Sequence, residues 1–281
     1  MSETPQDKPE ASGPEEENRE EGKEEQNGAK GEMHLTDHLM ELKKRLVRSF
    51  IAVFVGMLAC YAFARDIYKI LMLPLFEALP EGSTIIYTAP HEAFFTYIKV
   101  AFLAGLFLAL PYVFYQIWLF VAPGLYSNER RYLIPIAMVS ALFFATGALF
   151  GYFVVFPFGY QFFMGFTEEL IRPYMSMKEA FAFSFRLLIA FGVVFELPLV
   201  IFFLSRMGLV TSKGLRKKRK YAVLMAFIVS AVLTPPDLVT QTFMAGPLIL
   251  LYELGIWVSF FFGKERKAKG AGQEEEPEEA A

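Results

Sequence analysis

Apolar residues in this chain come in runs much longer than one face of a soluble helix requires. Six such runs, at 47–64, 94–119, 134–156, 179–207, 221–233 and 239–262, carry few charges. About 20 helical residues cross a hydrocarbon core of roughly 30 Å, so runs of this kind predict transmembrane helices. The fifth has only 13 residues, roughly 20 Å as helix, which is short for a bilayer. The pattern predicts an all-α, polytopic membrane protein over 34–263 with about six transmembrane helices, the last two short.

Local signals refine the boundaries. Thr36 or Asp37 is suited to cap a lead-in helix on which Leu35, Leu39, Leu42 and Leu46 share a face. The connection after the first run contains Pro74, Pro80, Gly82 and Pro90. These divide it into an amphipathic segment, a turn and a short extended piece at 84–88, predicting an ordered cap outside the membrane. In the third run Pro135 suits a first helical turn, Pro157 predicts an exit, and Gly147 and Gly151 form a GxxxG spacing. Ser176 and Glu179 form a capping-box pattern ahead of the fourth helix. If the fifth and sixth segments form a hairpin, Glu253 returns to the depth of Arg219 and Lys220 and can pair with one of them. That predicts a short final hairpin at a thin part of the bilayer.

Composition agrees with a membrane protein: of 281 residues, 54% are hydrophobic and 16% aromatic, with a mean hydropathy of +0.37. The formal net charge of −3 conceals a basic centre, because many acids lie in the tails at 1–33 and 264–281. The first reads as a disordered acidic tail and the second as basic, then acidic. The first apolar run begins too late and is too long for a cleavable signal, so it is expected to stay in the protein. Basic residues cluster before the first run, at Arg130 and Arg131, at Arg216 to Lys220, and at Lys264 to Lys269. With an even number of spans these fall on one side, predicting cytoplasmic amino and carboxyl termini. The lone Cys60 precludes an internal disulfide.

Catalytic signatures are missing: there is no HExxH, GxSxG, phosphate loop or cysteine cluster. His34 and His38 are four apart on the lead-in helix without a further ligand pattern, so no metal or other cofactor is expected. No nucleic-acid partner is expected either. Two carboxylates stand on the predicted cytoplasmic face. Glu41 has Arg45 as its i+4 partner, and Glu129 falls in a first helical turn after Pro123, Gly124 and Ser127, so each has an ordinary local explanation. The aromatics beside them, Phe120 and Tyr126, with Trp118 as a further candidate, read as exposed and favour a docking surface for a basic peptide. Glu196 lies near the bilayer midplane, where an acid costs about 2.5 to 3.5 kcal/mol on insertion scales. It should therefore face protein or water. Pro198 beside it predicts a kink. Asp237 and Gln241 form a polar pair at the opposite membrane face. A proton-coupled small-solute carrier using Glu196 is the alternative, although no internal repeat is evident.

Taken together, HLMELKKRL at 38–46, FVAPGLYSNERR at 120–131, YFVVFP at 152–157, AFGVVFELP at 190–198, and LTPPD at 233–237 with Gln241 resemble one family in order and without large gaps. That family is TatC, the multi-spanning receptor subunits of the twin-arginine protein translocase. The resemblance implies recognition of the paired arginines of a signal peptide by Glu41 and Glu129, with Phe120, Tyr126 and Arg130 nearby. It makes Glu196 the intramembrane acid, and Pro74, Asp237 and Gln241 extracytoplasmic motif positions. It further implies TatA- and TatB-type single-span partners, other copies of the chain, and proton-gradient-driven export of folded proteins across a bacterial inner membrane. Lys43 and Ser127 depart from the family, which often has arginine at the first position and a basic residue at the second.

Overall fold

The computed structural model describes residues 39–80, 83–121, 133–165, 174–234 and 237–263. The chain divides into two units, Met1–Arg48 and Ser49–Ala281. Helix α1, Leu39–Tyr61, supplies the described residues of the first unit and enters the second. A two-residue break then turns the chain by 91° into α2, Ala64–Ala78. In order follow β1 (Ile85–Ile86), α3 (Glu92–Val121), α4 (Leu133–Phe150), a π-turn (Gly151–Val155), α5 (Phe156–Met164) and β2 (Met175–Ser176). The chain continues through α6 (Met177–Phe195), α7 (Leu197–Arg206), α8 (Ser212–Lys217), α9 (Arg219–Leu233) and α10 (Leu238–Phe262).

Among the described residues, four helices are long and apolar enough to cross a membrane, or five if the bent α1–α2 pair is one span. The expectation was about six. The difference includes α9, whose 15 residues make about 22 Å of helix and fall below bilayer thickness. Its partner corrects the expectation of two short final helices: α10 has 25 residues, long enough to cross. The two helices pair as a hairpin, with Arg219 Nη2 2.6 Å from Glu253 Oε2, and α10 then runs on for nine further residues to Phe262.

The interior is drawn from α2, α3, α4, α5 and α6. Met72, Leu75, Val100, Ala101, Ala148, Phe156, Leu187 and Phe191 are all buried there. Large apolar side chains such as Leu142, Phe153, Val193 and Leu250 point outward, as expected where the solvent is hydrocarbon. In such a solvent helices associate through close contact of small residues. A Cβ on Gly147 would lie 2.4 Å from the Phe191 carbonyl oxygen, so this glycine sets the approach of α4 to α6. Gly151, the other half of the spacing, is looser, its nearest contact being 3.6 Å away.

Two boundaries differ from the sequence reading. Pro157 does not end the third span, because the π-turn just before it re-registers the helical ladder where the proline N–H is missing. The helix continues to Met164. Ser176 occupies the N-cap position of α6, yet its side chain makes no capping bond and the Ser176–Glu179 box does not form. Glu92 takes over that role from the start of α3. Its Oε1 accepts from the Lys178 amide at 2.8 Å and from the Ser176 hydroxyl, while Oε2 accepts from the Thr88 amide and hydroxyl, both at 2.8 Å. The extended piece at 84–88 contains β1, which pairs in parallel with β2, Ile85 with Met175 and Ile86 with Ser176. One carboxylate and one short strand pair thus hold the starts of α3 and α6 level, forming a cap.

Candidate functional site

The most unusual polar group in the interior is Glu196, at the break between α6 and α7. Pro198 in the first turn of α7 has no N–H, so the ladder is interrupted there. The Glu196 amide turns to the Val193 carbonyl at 3.1 Å. Its side chain is 9% exposed and points among α4 residues, beside the Ser140 hydroxyl and the Phe144 backbone. Ser140 is fully buried and accepts from the Trp118 indole N–H at 2.8 Å. The Trp118 ring lies against Phe203 of α7, with ring centres 4.1 Å apart. Three elements therefore meet at one small polar cluster. One carboxyl oxygen, Oε1, is buried without a hydrogen-bond partner among the described residues, and no ion pair there involves Glu196. The cluster offers an open acceptor to any donor brought against it.

Trp118 corrects an expectation. It is 8% exposed and belongs to this cluster rather than to a surface. The sequence reading missed Ser140 altogether, and its only signal was a hydroxyl inside an otherwise apolar run.

Asp237 and Gln241 mark the turn between α9 and α10. Asp237 is the N-cap of α10, accepting from the Thr240 amide at 2.7 Å and also from the Thr240 hydroxyl. The Thr240 hydroxyl and amide hold its carboxyl below the ordinary carboxylate range. Gln241 Nε2 donates to the Phe227 carbonyl at 3.0 Å and ties α10 to α9. Pro74 is buried within α2. Its missing N–H leaves the Ile70 carbonyl free, and the Tyr152 hydroxyl fills that place. No local signal assigns these roles to Glu92 or to Tyr152, the first residue of the YFVVFP motif, because each acts on a backbone group about 82 to 86 residues away.

Of the peptide-docking residues, Glu41 lies in the first unit, where Arg45 Nε donates to its Oε1 at 3.0 Å. Phe120 is half-buried in the last turn of α3. Tyr126, Glu129 and Arg130 lie outside the described residues, as do His34 and His38. No group of three or more metal-ligating side chains occurs among the described residues.

Comparison with known proteins places this arrangement in a family. Residues 37–247 match the family described as "Sec-independent protein translocase protein (TatC)". The chain is 52% identical to the protein of that name from Desulforapulum autotrophicum over 231 residues, covering 82% of this chain and 86% of the relative. It is 43% identical to the Escherichia coli protein over 233 residues, covering 83% and 90%. A crystal structure of the twin-arginine translocase receptor TatC superposes with a TM-score of 0.71 at 39% identity, covering 80% of this chain and 98% of that one. The chain therefore belongs to the TatC family, as a multi-pass membrane component of the Sec-independent protein translocase and not an enzyme.

Proposed function

We propose that this chain is the receptor of a twin-arginine translocase. Glu41 and Glu129, with Phe120, Tyr126 and Arg130, bind the Arg-Arg motif of signal peptides on the cytoplasmic face. With TatA- and TatB-type partners and other copies of itself, the chain supports proton-gradient-driven export of folded proteins across the bacterial inner membrane, both termini being cytoplasmic. The observation that carries this reading is the family match over 37–247, a stretch that includes both carboxylates. The family match does not favour the carrier alternative.

Physical chemistry supports the pairing. A guanidinium presents a planar fork that a carboxylate meets bidentately, which an ammonium does not, so two acids can favour Arg-Arg over Lys-Lys. Exposed pairs contribute about 0.2 to 1 kcal/mol each, whereas micromolar binding needs about 8 kcal/mol. Burial of the signal's apolar segment must supply most of the affinity. Glu196, with its open Oε1, is the polar position along that apolar path.

The test is photocrosslinking from positions 120 and 129 to an Arg-Arg signal and to its Lys-Lys variant. Adducts with the first and a marked loss with the second support the reading. Equal adducts with both would refute it. Glu129→Ala should remove the discrimination and leave residual hydrophobic association.

A further inference from the structure

Among the described residues, two cations stand well inside the apolar spans, away from the helix ends, without a partner. Lys99 in α3 and Arg186 in α6 are both exposed, and among the described residues neither makes an ion pair, hydrogen bond or ring contact. Charged side chains within membrane helices usually face a protein interior or a water-filled cavity. Arg186 instead shares an outward stripe with Val193 and Val200, both lipid-like and exposed.

Their depths agree. The bond from the Lys178 amide to Glu92 puts the starts of α6 and α3 at one level. Lys99 is seven residues beyond Glu92 and Arg186 eight beyond Lys178, so they lie about 10 and 12 Å below that level. Both helices start at the cap, and the Cα–Cβ bonds of a helix tilt toward its amino terminus, so both long side chains lean toward the cap. Beyond the two cations the apolar lengths also agree. From Arg186 to Arg206 is 20 residues, and from Lys99 to the end of α3 at Val121 is 22. These make about 30 and 33 Å of helix, the thickness of a hydrocarbon core. Glu196 is ten residues from each arginine, at the middle.

We propose that Lys99 and Arg186 bind the phosphates of phospholipids in the leaflet on the cap side and fix the depth of the protein in the bilayer. The cap formed by β1, β2 and the Glu92 clamp then stands in the headgroup layer. The hydrocarbon starts at the two cations, and Glu196 is held at the midplane. Charge complementarity selects the phosphate: it is the one anion that every phospholipid brings to this depth, and a guanidinium binds it with charge-assisted hydrogen bonds.

The experiment uses the full chain in nanodiscs of phosphatidylcholine and phosphatidylglycerol in equal parts. Native mass spectrometry after release counts the phospholipids retained. A nitroxide at position 193 reports depth by its accessibility to oxygen and to a nickel chelate. The Lys99→Leu, Arg186→Leu double variant should retain phospholipid about tenfold more weakly at each of the two sites, the effect of losing one charge-assisted bond at each. It should also shift the label's depth by several ångströms. Arg186→Lys should keep both properties. Unchanged retention and depth in the double variant would overturn the proposal. So would loss of a co-purifying membrane protein at unchanged lipid retention, which would assign the cations to a partner's carboxylate. An identical effect of Glu168→Gln or Glu169→Gln, at the two acids that lie in the sequence between α5 and β2, would overturn it as well, by pointing to a pairing within the chain. If the double variant does not fold, Arg186→Gln alone is read in the same way.

Discussion

The Tyr152 hydroxyl lies 2.5 Å from the backbone carbonyl oxygen of Ile70, the carbonyl that Pro74, four residues on, cannot satisfy. Proline has no N–H to give that carbonyl, so the phenol replaces the missing amide as its donor. Tyr152→Phe should therefore lower stability by about 1 kcal/mol. In a Pro74→Ala background, where the amide of residue 74 returns, the same change should cost little. A double-mutant cycle on thermal unfolding in detergent measures this coupling, and equal costs in the two backgrounds would show the pairing to be incidental.

The Trp118, Ser140 and Glu196 cluster predicts an order of severity. Ser140→Ala strips a partner from the indole N–H and from the carboxyl, at about 1 to 3 kcal/mol for each buried group left unpaired. Trp118→Phe removes a donor but leaves the Ser140 hydroxyl beside the carboxyl, so its polar cost should be smaller. Unfolding midpoints of the two variants, compared with Ser140→Ala/Trp118→Phe together, test that order. Additivity of the two changes would contradict a shared network.

Glu92 should control the cap without controlling the spans. Its carboxylate receives four hydrogen bonds from Thr88, Ser176 and Lys178. Glu92→Ala should speed hydrogen exchange at the Thr88 and Lys178 amides by at least several-fold, while amides in the middle of α3 and α6 keep their protection. Glu92→Gln, which can still accept at one position, should fall between. Uniform loss of protection along α6 would mean that the clamp holds the whole bundle.

Asp237 predicts a pH dependence with a definite sign. Its carboxyl titrates lower in the folded protein than the ordinary carboxylate value of about 4, first through the Thr240 hydroxyl and then through the Thr240 amide. The stabilisation is therefore fully present above about pH 4 and is lost as pH falls through the lower folded value. Asp237→Asn, which can still cap but carries no charge, should flatten that dependence. Melting curves between neutral and strongly acidic pH would reveal it. A loss of cap stability already at mildly acidic pH would point to another titrating group.

Much of the membrane architecture was legible from residues close together in the chain. Run length and hydropathy marked α3, α4, α6 with α7, and α10, because the bilayer imposes both a minimum length and an apolar surface on any crossing helix. The shortness of α9 and the return of Glu253 to Arg219 followed from counting residues at a fixed rise per residue. The extent of α10 was legible too, the run at 239–262 matching Leu238–Phe262; the expectation that it is short came from tying it to its neighbour's reach, which nothing local imposes. Proline breaks a regular ladder, so Pro157 by itself predicts an exit, and only the π-turn before it shows how the helix passes.

The sequence by itself determined that the chain spans a membrane, where its apolar runs lie, and the family whose motifs it carries. Tertiary structure decided which polar groups serve one another: Glu92 at the start of α6, Tyr152 at the Ile70 carbonyl, and Trp118 and Ser140 beside Glu196. The reason is physical. Hydrophobic run length is set residue by residue through the solvent, whereas a hydrogen bond between distant residues exists only after packing has brought donor and acceptor within about 3 Å.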